Sequence, residues 1–119
     1  MATARAKYAK VILFKAAEGK AREYGDYLSA TVEPIDRQAV AEGALLDKIT
    51  LVNDSDPSQP WTHLRIFLFE NEAQRTALKT AFGRIAPQLQ PDEFARKARK
   101  AYGESLRTLV VELDVGVLD

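Results

Sequence analysis

The stretch "WTHLRIFLFE", Trp61 to Glu70, constrains this chain most, because it reads as a β-strand that is greasy on both faces. Alternate residues Trp61, His63, Arg65, Phe67 and Phe69 point one way, and Thr62, Leu64, Ile66, Leu68 and Glu70 the other. An antiparallel strand with one solvated face shows a clean polar side, and neither side here is one. The first strand, "YAKVILFKA" (Tyr8 to Ala16), repeats the pattern, with Val11 and Leu13 set against Ile12 and Phe14. If helices cover one face of such a sheet, the other is an apolar patch that a soluble monomer rarely tolerates. A second copy of the same sheet is the simplest cover. A homodimer with its sheets packed face to face is therefore expected.

The rest of the chain supplies the helices. After the turn "AEGK" around Gly19, a helical segment starts at Lys20, with Tyr24, Leu28, Thr31, Ile35 and Ala39 spaced by three or four. Pro34 falls inside it and predicts a kink or two abutting helices, and Gly43 suits the C-terminus. "LLDKITLV" (Leu45 to Val52) reads as a second strand, paired as a hairpin with the Trp61 strand across the turn-rich "NDSDPSQP". Asn71 predicts an N-cap, with Gln74 in the capping-box position. That helix is expected to bury Ala77, Leu78, Ala81, Phe82 and Ile85, and Pro87 and Pro91 in "APQLQP" are expected to interrupt it. A further helix carries Phe94, Ala98, Ala101, Tyr102 and Leu106, and "TLVVELDVGV" closes the chain as a strand. The order β-α-β-β-α-α-β describes an α+β, ferredoxin-like domain over residues 1–119, with a four-stranded antiparallel sheet and helices on one side. Two copies would dimerise into an α/β barrel.

Charge and composition exclude several classes. Seventeen basic and seventeen acidic residues balance, so no bulk field draws nucleic acid. Without cysteine there are no disulfides, thiolate catalysis or sulfur-ligated zinc. One histidine is too few for a typical transition-metal site, so no metal or other cofactor is expected. The opening "MATARAK" has no apolar leader, and no run approaches the ~18 apolar residues of a membrane span. The expectation is a cytoplasmic protein that binds neither membranes nor nucleic acid.

Three stretches carry a family resemblance. "FKAAEGKAREY" is similar to a first-strand exit with a Gly-Lys turn, "RQAVAEGALL" to a Glu-Gly approach to the second strand, and "FLFENEAQRTAL" to a third strand running into a capped acidic helix. Together the chain resembles the dimeric α/β-barrel superfamily, particularly the small antibiotic-biosynthesis-monooxygenase-like proteins. The chain departs from that pattern at Phe69, where many members carry tryptophan or tyrosine, and at Ala77, where many carry histidine. The Asn, Trp and His set of the haem-degrading relatives is not assembled. The resemblance implies a pocket between helices and sheet, where relatives bind aromatic polyketides.

Candidate site residues follow. His63, with an ordinary pKa near neutrality, is a candidate general base, and Arg65 a candidate for stabilising an anion. Trp61 would add an aromatic wall, and Tyr24, Tyr27, Phe82 and Tyr102, with Phe94, would line an apolar ligand pocket. The plainer reading makes His63 a half-exposed strand end and the aromatics simple core. If Leu64, Ile66 and Leu68 lie under the helices, Arg65 and Phe67 point to the dimer seam. The parallel argument puts Leu109, Val111 and Leu113 under the helices, and Lys10, Arg65, Glu112 and Asp114 together on the seam. The basic run "RKARK" reads as a solvated face. Two functions compete: a cofactor-independent, monooxygenase-like enzyme acting on a small aromatic or enolisable molecule, and a non-catalytic ligand-binding or stress-associated dimer.

Overall fold

A computed structural model describes residues 5–118, so the first four residues of the opening "MATARAK" lie outside the described residues. The elements run β1 (Tyr8–Ala16), α1 (Ala21–Tyr27), a π-helical segment (Leu28–Val32), α2 (Glu33–Ala41), β2 (Asp47–Val52), β3 (His63–Phe69), α3 (Glu72–Leu89), α4 (Glu93–Ser105) and β4 (Arg107–Gly116). The four strands form one antiparallel sheet in the order β2-β3-β1-β4, the ferredoxin-like arrangement expected. Among the described residues no helix is long and apolar enough to cross a membrane.

Local chemistry sets the helix ends. Pro34 is the second residue of α2, and its missing N–H and bulky ring break the regular ladder. The chain absorbs this in the widened π turn just before it. At the far end Gly43 takes φ +80°, its N–H donating to the Val40 carbonyl while that of Ala44 reaches Ala39, a Schellman closure. Asn71 caps α3 by accepting the Gln74 N–H at 2.9 Å. The Gln74 side chain accepts the Glu70 N–H at 2.7 Å and donates to the Gly43 carbonyl at 3.0 Å, tying α3 to the approach to β2. Pro87 does not break α3, contrary to expectation: it forfeits the single bond its N–H would have given the Gly83 carbonyl, and the helix runs on to Leu89. Pro91 separates it from α4, which Asp92 caps through the Ala95 N–H at 3.0 Å.

The two faces of β3 are the reverse of the conditional reading. His63, Arg65, Phe67 and Phe69 are buried beneath the helices. Phe67 and Phe69 pack with Ala39, Leu45, Leu78 and Ile85 in one core cluster, while Phe14, Tyr24, Leu28 and Leu106 form a second. Ile12 packs against both. Leu64, Ile66 and Leu68 therefore lie on the uncovered face, joined through the register by Leu13, Val11 and Ala9 of β1 and by Ile49 and Leu51 of β2.

β4 corrects the second half of that reading. Val111 and Leu113 pair with Leu13 and Val11, on the uncovered face. A bulge between Leu13 and Phe14 breaks the alternation, so Leu109 pairs with Phe14 and separates from the other two. Of the expected charge cluster, Lys10 does meet Asp114 at 2.8 Å and Glu112 at 4.0 Å, but on the helix side of the sheet, and Arg65 pairs elsewhere.

α4 is turned against its composition. Phe94 is 85% exposed and Tyr102 48%, while Gly103 and Leu106 are buried. The close approach is made through Gly103, where any Cβ would overlap the Tyr27 ring, itself flanked by Tyr24 and Tyr102. Replacing Gly103 by alanine should raise helix propensity by about 1 kcal/mol but cost about 1–3 kcal/mol in overpacking, giving net destabilisation. Gly83→Ala on α3, with nothing within 4 Å of the added carbon, should instead stabilise. Denaturant unfolding of the two variants at equal protein concentration reads the opposite signs.

Candidate functional site

The site grows from β3. Residues 63 and 65 are two apart on a strand and so share a face, and here that face lies under α1, the π segment and α2. His63 is only 1% exposed, not a half-exposed strand end. Its ring meets Tyr24 of α1 edge-on at 4.8 Å. Gly25 of α1 lies beside the ring, where an added Cβ would stand 3.7 Å from Nε2, in ordinary van der Waals contact. Burial alone pushes the imidazole pKa below its ordinary value, so the ring is neutral at pH 7.

Thr62 partners one of the two ring nitrogens. Its Oγ1 accepts the Ala16 N–H at 2.8 Å, lies 2.8 Å from His63 Nδ1, and lies 3.5 Å from the Phe14 carbonyl. One arrangement uses all three contacts: Nδ1–H donates to Oγ1, and the hydroxyl turns to the carbonyl. That tautomer leaves the Nε2 lone pair as the free acceptor. No other side-chain hydrogen bond to the ring is found among the described residues.

Arg65 is held by two partners. Its Nη2 pairs with the Asp36 carboxylate of α2, and its Nε donates to Thr50 Oγ1 at 3.3 Å, with the guanidinium 4.9 Å above Phe67. Asp36 is 1% exposed and its second oxygen, Oδ1, has no hydrogen-bond partner. Burial raises the Asp36 pKa, and Arg65 opposes the rise. Arg65 Nη1 remains without a hydrogen bond among the described residues.

These groups border an open pocket of about 420 Å³, lined by His63, Arg65, Thr50 and Gly25 and flanked by an ion pair between Glu33 and Lys48. That volume suits a small molecule. A neutral imidazole and a fixed cation on one wall can take a proton and hold the resulting anion. The sequence reading missed Asp36, Lys48 and Glu33. Asp36 was traceable: it continues the i, i+4 series Leu28, Val32 on a buried helix face, where an acid needs a cation. Among the described residues no group of three or more acidic or histidine side chains could hold a metal ion.

The other candidates are dispersed. Tyr24 touches His63, and Tyr27 stacks on Tyr24. Trp61 lines a separate pocket with the 53–59 loop and Thr62. Phe82 packs edge-on against Phe67 in the other cluster, and Tyr102 is exposed, its hydroxyl donating to Glu23 at 2.8 Å.

The pKa of the single histidine can be followed without ambiguity. A lowered folded-state pKa means that folding favours the neutral ring. The stabilising contribution is present above the unfolded value of about 6.5 and is lost as pH falls through the folded one. NMR titration of the His63 ring should give a midpoint below 6.5, and His63→Gln should remove that component of the acid-side loss of stability.

No protein-family model matches the chain, and no curated protein matches it in sequence. Solved structures do match it in shape. A protein of unknown function from Nitrosomonas europaea is 22% identical with a TM-score of 0.59, covering 97% of this chain and 92% of that one. A protein of Chloroflexus aurantiacus, described as a candidate antibiotic biosynthesis monooxygenase, is 11% identical with a TM-score of 0.57, covering 95% and 94%. A dimeric ferredoxin-like protein of unknown function from Thermobifida fusca is 11% identical with a TM-score of 0.53, covering 94% and 90%. The chain shares the ferredoxin-like fold of these structures.

Proposed function

We propose that residues 1–119 act as one domain of a homodimeric α/β barrel that binds a small aromatic or enolisable molecule and oxidises it without a cofactor. The observation that carries the reading is the pairing of a neutral His63 with a buried Arg65 on the wall of one helix–sheet pocket. His63 Nε2 takes a proton from the substrate's acidic C–H or O–H, and Arg65 holds the enolate or phenolate. The anion then reduces dioxygen. For a ring methylene going to a carbonyl, one oxygen atom enters the product and the other leaves as water. The substrate supplies all four electrons, so no external reductant is needed.

Two supports bear on the dimer. The uncovered sheet face is aliphatic across all four strands, with Ile49, Leu51, Leu113 and Val115 between 38% and 47% exposed. Structures of the same fold are described as dimeric. Sedimentation at micromolar concentration should give twice the 13.2 kDa chain mass. Ile66→Asp, central on that face, should yield monomer or unfold the chain, because it places an unpaired charge in the seam. A wild-type monomer would sink the dimer.

Anthrone tests the chemistry. Wild type should consume one dioxygen per anthrone converted to anthraquinone, and His63→Ala, with its mass checked, should be slower by roughly 10²-fold or more. Saturable anthrone binding without oxygen uptake would favour the non-catalytic ligand-binding dimer. Equal turnover by the variant would remove His63 from the mechanism.

A further inference from the structure

A second concavity, of about 500 Å³, opens on the helical side of the molecule, away from the sheet face. It lies between the π segment, α2, α3 and α4. Its floor is apolar, formed by Val32 and Ile35 from one side and by Phe82, Ala86 and Pro87 of α3 from the other. Its rim is cationic. Lys79 of α3 faces Arg96, Lys97, Arg99 and Lys100 of α4, and no carboxylate is among the lining residues. The run "RKARK" is a largely solvated face that also borders this concavity.

The state of those cations matters. Arg96 donates to the Gln90 carbonyl at 2.9 Å, and Lys97 meets Glu93 at 2.9 Å. Lys79, Arg99 and Lys100 have no acidic partner among the described residues. In a chain of zero net charge, five cations around one apolar trough are a marked local segregation. The placement also runs against α4's own interest. The helix turns Phe94 and Ala98 outward and sets Arg96 and Lys100, one turn apart, toward its neighbours. An apolar floor under a positive rim is complementary to a molecule with an apolar body and an anionic head.

We propose that this groove binds a monomeric amphipathic carboxylate, its chain on Val32, Ile35 and Phe82 and its carboxylate at Lys79, Arg99 and Lys100. A free small molecule fits better than a bilayer, because the apolar atoms form the bottom of a trough and not a raised surface. Neither His63 nor Arg65 lines the groove, so the inference stands apart from the proposed oxidation.

Sodium dodecanoate, kept below micelle formation, is the probe. Methyl NMR should show saturable shifts at Val32 and Ile35, with Ile49 and Ile66 on the sheet face unmoved. Dodecyltrimethylammonium, with the same chain and opposite charge, should bind at least roughly tenfold more weakly, since each lost ion pair is worth up to about fivefold. The double variant Lys79→Glu/Lys100→Glu changes only exposed side chains, so its circular dichroism should stay native while dodecanoate affinity falls by a similar factor. His63→Ala should bind dodecanoate as wild type does. Equal affinity for the two amphiphiles would overturn the proposal, as would shifts confined to the sheet face. Co-sedimentation with phosphatidylglycerol vesicles without dodecanoate binding would also overturn it, in favour of a membrane-facing surface.

Discussion

Arg65 can lie beneath the helices only because Asp36 meets it there. A guanidinium under a helical layer loses its water, and an unpaired one would cost several kcal/mol. Asp36 supplies the opposite charge from α2, and Thr50 takes a further donor. The pair is costly to form and more costly to break, since removing either partner strands the other at roughly 3–5 kcal/mol. It fixes α2 against β3 at one register. Everything else on that face follows: Phe67 and Phe69 fill the core beyond it, and His63 stands at the pocket wall beside it.

Pro34 prepares this contact. By denying the ladder a donor it ends the first helical run in a widened turn, and α2 restarts at a new phase. Two residues further on, Asp36 points inward with Ala39, the other buried residue of α2. A residue that is locally disruptive thus places an acid where the sheet presents the buried Arg65. The Schellman closure at Gly43 and the Gln74 bridge to its carbonyl hold the other end of α2 to the start of α3.

The chain has no net charge, yet its surface is divided by chemistry. One sheet face is aliphatic, the helix–sheet pocket holds a histidine and paired charges, and the groove over the helices is ringed by cations. Each region presents a different chemistry: an aliphatic surface, a neutral imidazole beside paired charges, and an apolar trough with a cationic rim. The three do not compete for the same surface, because the sheet separates the first from the others and different residues line the pocket and the groove.

By itself the sequence determined what is encoded over short distances. Turn and cap residues such as Gly43, Asn71 and Gln74 act within one helical turn, so element order and the hairpin were legible. The period-two pattern of β3 was equally legible, and with it the need to cover two apolar faces. Alternation separates residues into two sets but does not say which set is inside. That choice was made by packing, since the bulky Phe67 and Phe69 fill the depth under the helices while Leu64, Ile66 and Leu68 make a flatter surface. The bulge in β4 and the outward turn of Phe94 were decided the same way, by partners distant in the chain. The site was half legible. His63 and Arg65 share a strand face by local geometry, but Asp36 reaches Arg65 across 29 residues, and only the folded sheet and helix bring them together.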